Sequence, residues 1–257
     1  MQAYGPAFAR AYQLRWGGFA RQATPQLLDF YASTAAGQQR QPVLDLCCGT
    51  GVASLGCLEA GYPVTGLDLS AHMLAYAREN TEGYAGRTRT TGPRANFVQA
   101  DAADFALAGQ FGLAICLYDA INHLPDLAAL RNCFRCTAAA VAPGGVFIFD
   151  INTRRGLRRW NVTSVDDSPE TLVITHSSFD GSGERALLNI TGFVRQDDGR
   201  FERFDEAVYN TIFEVQTVLW LLLDQGWASA HAARLDDLHT PLSAPEQGER
   251  VFVVARR

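Results

Sequence analysis

The chain has 257 residues, 47% of them hydrophobic, enough to bury the core of one large α/β domain with or without an insertion. Its net charge of −5, from 27 acidic against 22 basic residues, disfavours unaided binding to nucleic acid or an anionic membrane and leaves a small molecule as the expected partner. Every basic residue is arginine, which excludes Schiff-base and P-loop lysine chemistry.

In chain order, Tyr4, Phe8, Tyr12, Trp16 and Phe19 recur every three or four residues and predict one or two short helices over 1–36 with an amphipathic face. The opening stretch lacks a secretory h-region, and no apolar run approaches the roughly 18 residues of a membrane span, so a cytoplasmic location is expected. In that compartment the cysteines at 47, 48, 57, 116, 133 and 136 are expected to stay thiols. From Pro42 onward, strands and helices alternate. A buried strand over 42–47 runs into the Gly49-Thr50-Gly51 turn and a helix over 52–60, placing unpaired main-chain N–H groups where a ligand can approach closely. A strand over 62–68 ends in Asp68, followed by a helix over 70–80 with Ser70 as N-cap and a polar loop over 81–95. Further strands are expected at 95–99, 113–118 and 146–151. A helix from about 125 to 141 precedes the last of these, and Ala-Pro-Gly-Gly at 142–145 ends that helix. This alternation predicts a parallel, doubly wound sheet. Turn signals at 181–183 and 197–199 then separate three runs of β patterning, read as three inserted antiparallel strands within 155–210. A helix over 212–225, a strand near 227–234 and an antiparallel strand over 250–255 complete the chain.

The strings VLDLCCGTG, GLDLS, CLYDAINHL and VAPGGVFIFDINT, with the acid at 101, together resemble class I S-adenosylmethionine-dependent methyltransferases. The match is dense from Pro42 to Asn152 and looser from Tyr209 onward. The resemblance implies an α/β fold: a doubly wound, seven-stranded Rossmann-like sheet with an antiparallel β-sheet inserted after strand five. It divides the chain into a helical lid at 1–36, a core at 37–154 and 211–257, and an insertion at 155–210 that covers the acceptor site or makes a dimer contact. S-adenosylmethionine is the implied cofactor. Asp68 would take its ribose hydroxyls and Asp101 its adenine amino group, with Asp45, Cys47, Gly49, Gly51, Leu69, Met73, Ala102, Cys116 and Tyr12 around them. Cys47 stands where most members carry glycine, which is tolerable if its φ is negative. The N-terminal tyrosines, the Asn-His-Leu after strand four and the placed insertion look like bacterial N-methyltransferases of antibiotic pathways, acting on amino sugars and lincosamides.

Methyl transfer from a sulfonium needs an aligned acceptor, excluded water and the removal of one proton. His123 is the candidate base or orienting group, and Tyr4, Tyr12 and Tyr118, with Asn122, are candidates to orient the acceptor. His176, His231 and His239 read as surface or insertion residues, and Cys133 and Cys136 as a thiol pair without the second pair a zinc site needs. Arg154, Arg155, Arg158 and Arg159 fit an anion site, a solvated loop or a subunit contact. Two other functions stay open: an O- or C-methyltransferase, and an NAD(P)-dependent oxidoreductase, whose fingerprint Gly49-x-Gly51 with Asp68 imitates. Ser54 in place of a third glycine, and Asp45 within the strand, favour the methyl donor.

Overall fold

Helices open the chain in the computed structural model, which describes residues 4–85, 92–107, 110–181 and 183–257. Helix α1 (Pro6–Arg15) begins on a proline, whose missing N–H costs nothing at a first helical position, and α2 (Gly18–Ala32) and α3 (Ala35–Gln38) follow. The alternating part comprises β1 (Val43–Leu46), α4 (Val52–Glu59), β2 (Val64–Asp68), α5 (Ala71–Ala85), β3 (Ala95–Gln99), β4 (Phe111–Cys116), α6 (Leu127–Ala140) and β5 (Val141–Asn152). After the short α7 (Arg154–Leu157) come β6 (Thr163–Asp167), β7 (Thr171–Ser178), β8 (Arg185–Arg195) and β9 (Phe201–Thr211). The chain closes with α8 (Val215–Asp224), β10 (Ser229–Ala233) and β11 (Arg250–Arg256).

The central sheet has seven strands in the order β10-β11-β5-β4-β1-β2-β3. Its first five strands in sequence are parallel, and β11 is antiparallel to both β5 and β10. Strand alternation loads both faces. Leu44, Leu46, Phe147 and Phe149 face a core closed by α6 and α8, whereas Val43, Ile115, Val146 and Ile148 face one closed by α2 and α4. Each such fully buried side chain contributes roughly 1.5–3 kcal/mol of apolar transfer. Strands β6 to β9 form a separate antiparallel sheet in that order. Its inner face packs Val173, Ile190, Val194, Phe204 and Val208 against Phe8 of α1 and Met73 of α5. Gln13 and Asn80 exchange amide hydrogen bonds between α1 and α5, and Arg10 reaches the Arg195 carbonyl at 2.8 Å. Among the described residues, no helix is long and apolar enough to cross a membrane.

Three helices stand where one or two short ones were expected at the start, and β4 occupies Phe111–Cys116 where 113–118 was expected; four further differences from the sequence reading have a local reason. Helix α5 runs through Thr81 to Ala85 because Thr81 is buried with its hydroxyl on the Ala77 carbonyl, and Tyr84 packs beside the α4 core; residues 86–91 of the expected loop lie outside the described residues. Strand β5 starts at Val141, since Val141 already pairs with Phe111 ahead of a register shift, so Ala-Pro-Gly-Gly lies within the strand. The inserted sheet has four strands where three were expected: β6 is exposed along its whole length and so lacks an alternating apolar signal. Ser182 of the first turn signal is outside the described residues. Helix α8 starts at Val215 because β9 continues to Thr211.

Candidate active site

The loop after β1 is tight. The Cys48 N–H donates to the Leu67 carbonyl and the Gly51 N–H to the Cys48 carbonyl, both at 2.9 Å. Gly49 and Gly51 have φ of 54° and 74°, and a Cβ on Gly51 would stand 2.8 Å from that of Ala77, so helices α4 and α5 approach through a glycine. Cys47 also has a positive φ, 55°, so the condition under which its Cβ would be tolerated without strain is not met. The turn imposes the left-handed conformation on a residue that carries a Cβ, at roughly 1–2 kcal/mol.

Asp68 ends β2 with one carboxylate oxygen on the Gly49 N–H and the other on the Ser70 N–H, each at 2.9 Å. Burial raises its pKa, and these N–H groups oppose that shift. Ser70 caps α5 through the Met73 N–H at 3.3 Å and donates its hydroxyl to the Tyr4 carbonyl at 2.8 Å, which ties the start of the chain to this corner. Asp45 sits on the other side of β1, buried, with the Ser54 hydroxyl donating to it at 2.6 Å. Burial pushes its carboxyl up to about 7.

A cavity of about 630 Å³ opens over the carboxyl ends of the parallel strands. Cys47, Gly49, Asp68, Leu69 and Met73 line it on the side of β1 and β2, with Asp101 and Ala102 beyond β3. Helix α1 and the residues before and after it roof it with Tyr4, Phe8, Tyr12 and Trp16; the Tyr12 and Trp16 rings stack at 5.7 Å. Burial raises the phenols of Tyr4 and Tyr12 well above their usual range, so both remain neutral donors. Tyr118 and His123 stand at the rim past β4, and Glu206 and Tyr209 come from the inserted sheet. Asp45, Gly51 and Cys116 are outside this lining: Asp45 braces α4, Gly51 serves the turn, and Cys116 is fully buried beneath the cavity floor.

The rim after β4 carries groups that the sequence reading passed over. Tyr118 and Asp119 both adopt left-handed φ, 67° and 49°, and their N–H groups converge on the buried Asp150 carboxylate at 2.7 and 2.9 Å. Arg250, the first residue of β11, bonds Asp150 and also donates to Asp119 at 2.7 Å. Its guanidinium lies over the rings of Phe19 and Tyr118, at 4.8 and 5.9 Å. Asp119 in turn stands 3.6 Å from His123 Nε2, an ion-pair separation when the imidazole is protonated. Burial works against Asp119, yet His123 and Arg250 hold its carboxyl below the usual carboxylate range, so it is a fixed negative charge. Burial instead pushes Asp150 up to about 6, with Arg250 opposing. Asn122, a candidate orienting group, is fully buried outside the cavity. It bonds the Asn152 N–H and carbonyl and the Thr211 carbonyl, stapling the rim to the ends of β5 and β9. Asp119 lies inside the quoted CLYDAINHL string and its i, i+4 spacing to His123 was a readable signal. Asp150 and Arg250 meet only through the β5–β11 pairing.

The remaining candidates lie elsewhere. His176 meets Thr163, His231 the Leu238 carbonyl, and His239 the Phe30 ring. Cys133 and Cys136 are buried in α6, all six cysteines are free, and among the described residues no three side chains are grouped to hold a metal. Arg154 and Arg159 make ion pairs with Glu214 and Glu249 at 3.1 and 2.5 Å.

An Asp68 carboxylate fixed at the end of a parallel strand, glycine backbone beside it and a deep apolar cavity with a second acid at 101 suit a nucleoside-bearing methyl donor. Residues 43–145 match the family model described as a methyltransferase domain. The chain is 27% identical over 217 residues to the putative methyltransferase YqeM of Bacillus subtilis, covering 84% of this chain and 83% of that one. It is 31% identical over 176 residues to the dTDP-3-amino-3,6-dideoxy-alpha-D-glucopyranose N,N-dimethyltransferase of Streptomyces fradiae, covering 66% and 64%. The fold is similar to that of a crystallised S-adenosylmethionine-dependent methyltransferase from Clostridium acetobutylicum, with a TM-score of 0.76, 19% identity and 97% of each chain covered. Residues 43–145 are thus a methyltransferase domain, the chain is an S-adenosylmethionine-dependent methyltransferase, and S-adenosylmethionine is its cofactor.

Asp45 makes the stability of this site pH-dependent. Its folded pKa of about 7 exceeds the ordinary 3.8, so between those values the native state holds a proton that the unfolded chain has released. Stability therefore falls as pH rises through that window, by on the order of 4 kcal/mol for a shift of this size. Asp45→Asn keeps an acceptor for Ser54 and removes the titration. Urea unfolding at pH 5 and pH 8 is expected to show a larger loss in the wild type than in the variant; equal losses would mean that Asp45 ionises freely.

Proposed function

We propose that this methyltransferase transfers its methyl group to an amine nitrogen of a small molecule, such as an amino sugar or a lincosamide-like natural-product intermediate. The observation that carries the reading is the Asp119–His123 pair at the cavity rim, a proton acceptor backed by a fixed negative charge and held by Arg250. The Streptomyces fradiae relative, named as an N,N-dimethyltransferase of an amino sugar, supports the acceptor class. When bound, the donor supplies a methyl group already activated on a sulfonium. The protein's part is to place a lone pair behind that methyl, exclude water and take one proton. In this reading Asp68 holds the ribose and Asp101 the adenine edge, while Cys47, Gly49, Leu69, Met73 and Ala102 shape the donor half of the cavity. Tyr4, Tyr12 and Tyr118 orient the acceptor as neutral donors, and Asp45, Gly51 and Cys116 act from behind the lining.

A hydroxyl acceptor is the second reading, because a histidine beside a carboxylate also suits a general base. The two separate kinetically. An ammonium has a pKa within a few units of neutral and gives up its proton to water or to His123 at modest cost, whereas a hydroxyl must be activated in the site by a base. With an amine, His123→Ala is expected to lower kcat by about tenfold to a hundredfold, with partial recovery at higher pH, and His123→Asn to do better than alanine. With a hydroxyl the loss would be about 10²–10⁴-fold. Kinetics of both variants from pH 6 to 9 decide the matter; a loss beyond about a thousandfold that alkaline pH does not relieve rejects the amine account.

For the donor, Asp68→Ala is expected to raise the dissociation constant of S-adenosylmethionine by roughly tenfold or more, the loss of charge-assisted hydrogen bonds of about 1.5–3 kcal/mol. Unchanged affinity by calorimetry would remove Asp68 from the site.

The segment at 1–36 is read as a lid over this cavity, since Tyr4, Phe8, Tyr12 and Trp16 roof it from a helix held by the inserted sheet and α5. Amide hydrogen exchange over residues 4–16 should slow on addition of S-adenosylhomocysteine, with little change in β1 and β4. Exchange that ignores the ligand would reduce the segment to packing.

A further inference from the structure

The inserted sheet presents one face to the cavity, and the alternation along its strands defines that face. On β9 Phe204, Val208 and Asn210 are buried, as are Ala186, Ile190 and Val194 on β8. Glu206 shares their side of the pleat, directly opposite Ile190, and lines the cavity. A carboxylate is thereby set beside Leu188, Ile190 and Val208, and Arg185, which lines the same cavity from β8, donates to the Pro125 carbonyl and makes no ion pair with it. Among the described residues the hydrogen bonding of Glu206 is to the Gly5 N–H at a long 3.4 Å, and no arginine or histidine stands within ion-pair distance of it.

The other carboxylates of the cavity are engaged. Asp68 takes the N–H groups of Gly49 and Ser70, Asp101 that of Ala103 at 2.8 Å, and Asp119 lies between Arg250 and His123. Arg250 is committed to Asp119 and Asp150, so it does not offset Glu206. An ionised carboxyl on a half-buried wall costs free energy until an opposite charge or a strong donor meets it. Burial already raises the pKa of Glu206, against the Gly5 N–H. The rings of Tyr4 and Phe8, the latter 5.6 Å from Phe204, add aromatic faces that also favour a cation.

We infer that Glu206 is the acceptor-recognition residue: it binds the protonated amine of the incoming acceptor and selects cationic acceptors over neutral ones of the same shape. The inference rests on the amine reading above and names the residue that enforces it. Recognition and proton removal then fall to different walls. The ammonium held by Glu206 gives one proton to His123 or to water, the freed lone pair forms the new nitrogen–carbon bond as the carbon–sulfur bond breaks, and Glu206 takes no part in the bond exchange.

Glu206→Gln isolates the charge, because the amide oxygen can still accept from Gly5. Protein saturated with S-adenosylhomocysteine is titrated with cyclohexylamine, cationic at pH 7.5, and with cyclohexanol, its neutral counterpart. Wild type is expected to bind the cation at least about tenfold more tightly, and Glu206→Gln to bring the two within about twofold, with Glu206→Asp in between. No preference in the wild type, or a preference that survives Glu206→Gln, overturns the inference. Methyl transfer by the wild type to a panel of amines and matched alcohols tests the amine reading separately. A chain that methylates amines yet keeps its cation preference in Glu206→Gln loses this inference alone. One whose preference depends on Glu206 but which methylates only alcohols loses the amine reading and with it the acceptor role of Glu206, which is then a cation site only.

Discussion

A buried carboxylate at the end of β5 organises the working edge of this protein. Asp150 is fully buried, and removing it from water would be prohibitive without partners. It finds them in the consecutive N–H groups of Tyr118 and Asp119 and in the Arg250 guanidinium. The demand propagates outward. To aim both N–H groups at one carboxylate, the chain after β4 turns through two left-handed residues, and that turn carries Asp119 to the cavity and sets it between Arg250 and His123. The last strand is part of the same arrangement, because Arg250 reaches Asp150 only when β11 lies antiparallel against β5.

The second sheet completes what the first begins. Parallel strands deliver loops to one edge but leave the cavity open on the side facing away from them. Here α1 and the inner face of β7, β8 and β9 close it with apolar surface, joined through Phe8, Ile190, Phe204 and Val208. The cavity therefore has two kinds of wall: a polar rim fixed by the central sheet, and a mixed wall on which Leu188, Ile190 and Val208 stand among Arg185, Glu206 and Asn210.

The alternating core was legible because each strand is a short apolar run and each connection carries its own punctuation. Asp68 and Ser70 were placed by the end of β2, and the last strand by its apolar run over 250–255. What escaped has physical causes. Strand β6, Thr163–Asp167, is solvent-exposed on an edge, so hydrophobic alternation had nothing to record. Asn122 looks like a site residue beside His123, yet it serves three backbone groups; such a role depends on where β5 and β9 end, which periodicity does not encode. Arg250 and Asp150 are a hundred residues apart and meet across a strand pair, and Glu206 acquires meaning only from the side of the pleat it occupies.

The strained residues make the same point from the backbone. Cys47, Tyr118 and Asp119 all hold left-handed φ without being glycine, at the ends of the neighbouring strands β1 and β4, where they surround the cavity. Such conformations cost of order 1–3 kcal/mol each and persist only when their surroundings over-determine them. They are over-determined here. The Cys48 N–H is pinned to Leu67 and Gly51 to Cys48 on one side, and Asp150 grips both N–H groups on the other. Relaxing either turn would break hydrogen bonds buried under the cavity, which costs more than the strain it relieves. The edge that must hold a donor and an acceptor in line is thus kept rigid by its most costly backbone. The segment around α1 meets this edge through Tyr4, Tyr12 and Trp16.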